Sequence, residues 1–284
     1  MEPAPSAVLA PLRRPAIIAP GVVRVAPKLA ELWYYRELFY YWLWRDVKVR
    51  YAQSILGLGW ALIQPLVPML LFTVIFGRVA RISSDGIPYG LFCYIALVPW
   101  TYFANAVGDA SGSLVKEGNI LNKIYFPRLI LPLTGALGRL VDLAVSVVLL
   151  FVLMAWYETP PTPWLAVTPL LMLIAVITAA GFGMWLSALA VQYRDVRYAV
   201  PFALQVFMYA APVVYPTSLI PAKYRHLYAI NPLVGVIEGM RACLFPSLPL
   251  PVDLIAIGAV SALLILCVGA LHFIRKEAVF ADVA

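Results

Sequence analysis

Apolar residues run through this chain in long blocks, not in narrow stripes. Six blocks stand out, at about 57–77, 89–107, 130–156, 164–190, 199–215 and 252–274. Apolar runs of roughly 18 or more residues read as transmembrane helices. The pattern therefore predicts an all-α integral membrane protein with six transmembrane helices. Pro65, Pro68, Pro99, Pro201 and Pro212 fall inside these blocks and predict kinks. Membrane helices tolerate such prolines where neighbours satisfy the freed carbonyls.

The segments between the blocks have patterns of their own. Residues 1–28 hold six prolines and four basic residues, too many prolines for a signal-peptide helix, and read as a disordered cytoplasmic arm. Residues 29–50 follow, with the run "ELWYYRELFYYWLWRDVKVR" at 31–50. On a helix, Leu32, Tyr35, Phe39 and Trp42 share one face, while Glu37, Tyr41, Arg45 and Lys48 share another. An amphipathic helix dense in Trp and Tyr fits the headgroup region of a bilayer. Its apolar stripe breaks at Asp46, which predicts an end or turn there. Everything from 51 to 284 is assigned to the six-span domain.

Residues 216–245 are too polar and proline-broken to span, yet too apolar for an ordinary loop. Apolar segments of about 10–14 residues suggest re-entrant or interfacial helices. Two short helices broken at Asn231-Pro232 are expected, with Glu238 and Arg241 three apart on one face and able to neutralise each other. Residues 113–128 alternate charges with Leu114, Ile120, Leu121 and Ile124, and can form a short helix for a soluble partner. "QYRDVRY" at 192–198 is a tight hairpin tip.

Charge orients the domain. With six spans, residues 1–50, 113–128, 192–198 and the C-terminal tail share one side and carry 15 Lys and Arg, against five on the other side. Basic residues favour the cytoplasm, so both termini are placed there. Only 12% of the residues are charged and mean hydropathy is +0.88, where a soluble domain carries about 25% charged residues. Cys93, Cys243 and Cys267 have no metal-like spacing and read as small apolar residues.

The chemistry of nucleotide hydrolysis and of metal catalysis is missing from the sequence. There is no GxxxxGK[ST], no HExxH, and only two histidines, His226 and His272. Arg139 and Asp142 form the one opposite-charge pair expected inside a span and read as a structural pair. In the fifth block Tyr198, Phe202, Gln205 and Tyr209 fall on one helical face; in the first, Trp60 and Gln64 do. Glutamines are costly toward lipid, so both should face protein or water, either lining a path or joining helices.

The order of elements, with "LGLGWALIQPL", "NKIYFPRLILPL", "ALAVQYRDVRY" and "INPLVGVIEGMR", resembles the membrane subunits of ABC exporters for bacterial surface polysaccharides. The resemblance covers about 30–276; the proline-rich arm departs from the shorter N-termini of that family. It implies a permease in the bacterial inner membrane that exports a lipid-linked O-antigen or capsule glycan. It also implies a homodimer with two ATP-binding cassette subunits, no enzyme activity on this chain, and ATP and Mg on the partner only. Nucleic acid has no part in it. Implied channel-lining residues are Trp60, Gln64, Tyr198, Phe202, Gln205 and Tyr209. Implied ATPase-coupling residues are Lys116, Glu117, Asn122, Lys123, Arg194, Asp195 and Arg197. Implied residues of an extracytoplasmic gate are Tyr224, Asn231, Glu238 and Arg241. The rivals are an ABC permease for a drug or lipid, and a membrane glycosyltransferase or ligase. The second would need clustered acids at the membrane surface, whereas Asp85, Glu158, Glu238 and Asp253 are scattered.

Overall fold

A computed structural model describes residues 25–52, 54–121, 125–160 and 162–277. Every element among the described residues is a helix, and none is a strand. The proline-rich arm lies largely outside them, as do Asn122 and Lys123.

The N-terminal helix begins at Val25, inside the stretch read as an arm. Pro27 does not prevent this, because a proline in the first helical turn removes no intrahelical donor. Helix α1 (Val25–Tyr34) meets α2 (Arg36–Tyr51) at Tyr35. α2 does not stop at Asp46. That carboxylate pairs with the neighbouring Arg45 at 3.1 Å, so it is no obstacle to continuing the turn. Trp42 is buried against Phe126, Ile130, Leu131 and Phe273, with Leu32, Tyr35 and Phe39 beside it. Trp33, Tyr34, Tyr40, Tyr41 and Trp44 are exposed, the arrangement expected of a helix lying along a bilayer surface.

Helix α3 (Gly59–Phe72) contains Pro65 and Pro68 and runs on into a π-helical stretch, Thr73–Val79. α4 (Tyr89–Lys116) carries the centre of the core, with Leu91 to Val98 buried without a break. It extends nine residues past the block that ends at 107. Ser111 and Ser113 bond back to the carbonyls of Gly108 and Ala110, and Asp109 is paired with arginines, so these polar residues continue the helix. The short α5 (Gly118–Leu121) follows. The third block divides into α6 (Ile130–Leu137) and α7 (Leu140–Trp156), broken at Gly138 and Arg139. α8 (Thr168–Gln192) is preceded by one 3-10 turn, Pro163–Val167. α8 lies between α4 and the last helix. Gly181 permits its approach to that helix, since a Cβ there would sit 2.7 Å from the Leu266 nitrogen. Close backbone approach at small residues is how membrane helices gain packing energy.

The fifth block differs from its expectation. α9 (Val196–Tyr209) has 14 residues, about 21 Å of rise against about 30 Å of hydrocarbon. Residues 210–216 continue as turns. Next come α10 (Ala222–Tyr228) and α11 (Pro232–Leu244), bent 112° to each other, and then α12 (Val252–Lys276). Five described helical stretches are long and apolar enough to cross a membrane: Gly59–Val79, Tyr89–Lys116, Ile130–Trp156, Pro163–Gln192 and Val252–Lys276.

Candidate functional site

Helices α3 and α9 both pack on α4 and leave a cleft whose floor is α4. Gln64 of α3 accepts a hydrogen bond from Asn105 Nδ2 of α4 at 2.7 Å. Asn105 also lines a hollow of about 360 Å3 with Asp109, Pro201, Gln205 and Met208. The two glutamines, chosen because lipid would be costly for them, thus meet the same α4 side chain or its hollow. Trp60 and Gln64 line an adjoining hollow of about 220 Å3 with Arg50, Tyr51, Arg139 and Asp142. Tyr198, Phe202 and Tyr209 project from α9, between 53% and 82% exposed. Among the described residues nothing else covers this face.

The α2 end of the cleft is a web of charge. Arg139 holds Asp109 through Nε at 2.7 Å and Nη2 at 3.1 Å, and Asp142 through Nη1 at 3.0 Å. Arg50 holds Asp109 at 2.8 Å and donates to the Gly138 carbonyl at 2.7 Å. That carbonyl is freed by the break between α6 and α7. Tyr51 Oη donates to Asp142. The expected Arg139–Asp142 pair is present, but as part of this larger web. Asp109 and Arg50 escaped sequence reading because Asp109 lay beyond the presumed end of its span and Arg50 lay on a different element. Their only signal was charge beside a membrane block.

A larger hollow of about 540 Å3 opens beneath the web, lined by Trp42, Arg45, Arg50, Asp109, Lys116 and Glu117 among others. Glu117 ends α4 and accepts from Arg45 Nη2 at 2.5 Å, while Arg45 stacks 3.8 Å above the Trp42 ring. Burial alone would lower the Arg45 pKa, but its bonds to Glu117 and Asp46 outweigh that and raise it. Tyr125 Oη donates to Glu31 at 2.7 Å, which raises the pKa of the phenol; Arg128 donates to the Glu277 carbonyl at 2.6 Å. The described part of segment 113–128 is therefore tied to α1, to α2 and to Glu277 at the end of the last helix. Lys116 is exposed at the helix end.

Arg194, Asp195 and Arg197 sit at the turn between α8 and α9, all exposed. Among the described residues none pairs with their side chains. The turn itself is held by the backbone: the Asp195 carbonyl accepts from Ala199 N at 2.9 Å.

At the opposite end of α4, Arg241 is 1% exposed. Its Nη1 meets Glu238 at 2.9 Å, its Nη2 donates to the Pro212 carbonyl at 2.7 Å, and its guanidinium lies 3.5 Å from the Phe92 ring centre. Glu238 also accepts from Thr217 N at 3.1 Å. Asn231 caps α11 through Leu233 N at 3.1 Å and donates to the Ala210 carbonyl at 3.0 Å. Tyr89 Oη donates to the Val214 carbonyl at 2.6 Å, and Tyr215 Oη to that of Tyr209 at 2.8 Å. The carbonyls freed where α9 ends are thus met one by one. Irregular backbone at membrane depth requires such partners. The neutralising Glu238–Arg241 pair is seen as expected, and Arg241 has this further task. Tyr224 is exposed on α10 and takes no part in it.

A family model described as ABC-2 type transporter matches residues 37–245. The O-antigen export system permease protein RfbA of Myxococcus xanthus is 29% identical over 250 residues, 87% of this chain and 95% of that protein. A protein of the same name from Klebsiella pneumoniae is 30% identical over 243 residues, 84% of this chain and 92% of its own length. The polysialic acid transport protein KpsM of Escherichia coli is 23% identical over 211 residues, 72% of this chain and 79% of that protein.

Proposed function

The chain belongs to the ABC-2 type transporter family, and from that premise we propose that it is the permease subunit of a bacterial exporter of lipid-linked surface polysaccharide. The glycan is of the O-antigen or capsule class, as in the names of its relatives. Two copies and two ATP-binding cassette subunits form the working unit, in the inner membrane with both termini in the cytoplasm. ATP and Mg belong to the partner subunits, since this chain lacks a phosphate-cradling loop.

The cleft between α3 and α9 carries this reading. It puts exposed aromatic rings (Trp60, Tyr198, Phe202, Tyr209) beside amides (Gln64, Asn105, Gln205). Sugar rings stack their C–H faces on aromatics and bond amides through their hydroxyls. A long glycan must be held weakly at many points, because a single tight site would stall it; multi-site weak binding is what conduction requires. A second copy facing α3 and α9 would close two such clefts into one conduit. The charged segment 192–198 and segment 113–128 would sit on the ATPases, and α10–α11 would form the outer end.

Deleting the gene in its own host and restoring it tests the whole reading. Surface glycan should vanish and return, and the chain should co-purify with an ATPase subunit. Glycan that persists in the deletion strain would reject the function.

A further inference from the structure

Helices α8 and α9 diverge from their shared turn, and α4 closes the space behind them. The crevice between them has a volume of about 320 Å3. Phe103 of α4 forms its floor, Leu189 and Trp185 one wall, Ala199 and Ala203 the other, and Phe207 its inner end. None of its 12 lining residues carries a charge, a hydroxyl or an amide side chain. A water molecule needs two to four polar partners, and this space offers almost none. What fills it must be hydrocarbon.

Its position says which hydrocarbon. On a helix with 3.6 residues per turn, Val196, Ala199, Val200, Ala203 and Phe207 fall opposite Tyr198, Phe202, Gln205 and Tyr209. α9 is therefore a wall with the aromatic and amide cleft on one side and a dry crevice on the other. Val200 lines both the crevice and a hollow of about 170 Å3 that contains Arg197. No described side chain pairs with Arg197, so a free cation stands next to the crevice at the end nearest the turn. A glycan on an anionic lipid anchor has the matching three parts: sugars, an acidic junction and a hydrocarbon chain. The small residues Ala199 and Ala203 keep the crevice open, and the bilayer supplies no hydrophobic drive to shut it.

Resting on the exporter reading above, we propose that the α8–α9 crevice binds the hydrocarbon chain of the glycan's lipid anchor in the cytoplasmic leaflet, with Arg197 beside the anchor's acidic junction. α9 then divides the substrate, tail on one side and sugars on the other.

Photocrosslinking in cells tests this. A benzophenone amino acid is placed at Ala203, and at Val260 on the exposed face of α12 as a control. Both permeases are compared in cells that make the lipid-linked glycan and in cells blocked in its synthesis. Mass spectrometry of the adducts should find the glycan lipid at Ala203, only in producing cells, and not at Val260. Phospholipid adducts alone at Ala203, equal to those at Val260, would overturn the proposal. Ala203→Phe, which fills the crevice, should lower export per folded permease about tenfold, the scale of a blocked apolar pocket. Unchanged export per folded permease would overturn the proposal as well. The deletion strain separates the two readings. Glycan that persists without the chain rejects the exporter and the crevice together. If export is lost on deletion but Ala203 captures only phospholipid, the crevice assignment alone falls.

Discussion

Two arginines, Arg50 and Arg241, solve one problem in opposite ways. Each donates to carbonyls set free by a broken membrane helix: Gly138 for Arg50, Pro212 for Arg241. Arg241 does so in isolation, with one carboxylate, one aromatic ring and no solvent. Arg50 does so inside a web of two aspartates, a second arginine and a tyrosine that borders three hollows. A charge without alternatives is a fixed pin. A charge with several partners beside open space can exchange them. The end near α2, where motor force is proposed to enter, has the exchangeable arrangement, and the far end has the fixed one.

The sharpest way to break this contrast is to remove Arg241. Arg241→Leu should cost about 3–5 kcal/mol, because the mostly buried Glu238 then loses its charge partner and the Pro212 carbonyl its donor. Little folded permease should remain on size exclusion in detergent. Arg241→Lys keeps the charge but cannot fork to the ring and the carbonyls, so it should recover only part of the loss. If the leucine variant is as stable as wild type, Arg241 is not a pin.

Asp109→Asn tests the other arm. The web has spare partners, so the cost should be smaller, about 1–3 kcal/mol for a weakened charged hydrogen bond. Thermal unfolding of the purified permease measures it. A loss equal to that of Arg241→Leu would erase the distinction between the two ends.

Gln205→Leu sharpens the comparison within the cleft. Among the described residues its amide has no direct hydrogen bond, unlike that of Gln64, so it should cost less than about 0.6 kcal/mol, the mean for a bond between membrane helices. Export per folded permease should nevertheless fall. Surface glycan measured against the amount of permease decides this; a stability loss with normal export would make Gln205 packing only.

The smallest effect on stability belongs to the segment at 192–198. Reversing Arg194 and Arg197 to Glu should stay within about 0.5 kcal/mol, as for surface positions. Co-purification with the ATPase or export should drop. Wild-type assembly and wild-type export together would remove this turn from motor coupling.

Some of this was already present in the order of residues. Long apolar blocks can satisfy their backbones only as helices, so the class and most helix positions followed from hydropathy. The spacing of Glu238 and Arg241 announced their pair, and the cost of glutamine in lipid drew Gln64 and Gln205 to protein or water. Tertiary structure decided the rest, because it depends on contacts between distant segments. Asp109 became interior to a helix only once Arg50 and Arg139 neutralised it, which no local pattern could signal. α9 could end after 14 residues only because Arg241 of α11, Asn231 that caps α11, and Tyr89 of α4 meet the free carbonyls of the turns that follow it. Asn105, the residue that joins α3 to the α9 hollow, has no pattern of its own; it matters because the two helices happen to cross α4 on either side of it. Hydropathy is a property of the chain one residue at a time, whereas the pairing of buried polar groups is a property of the packed whole.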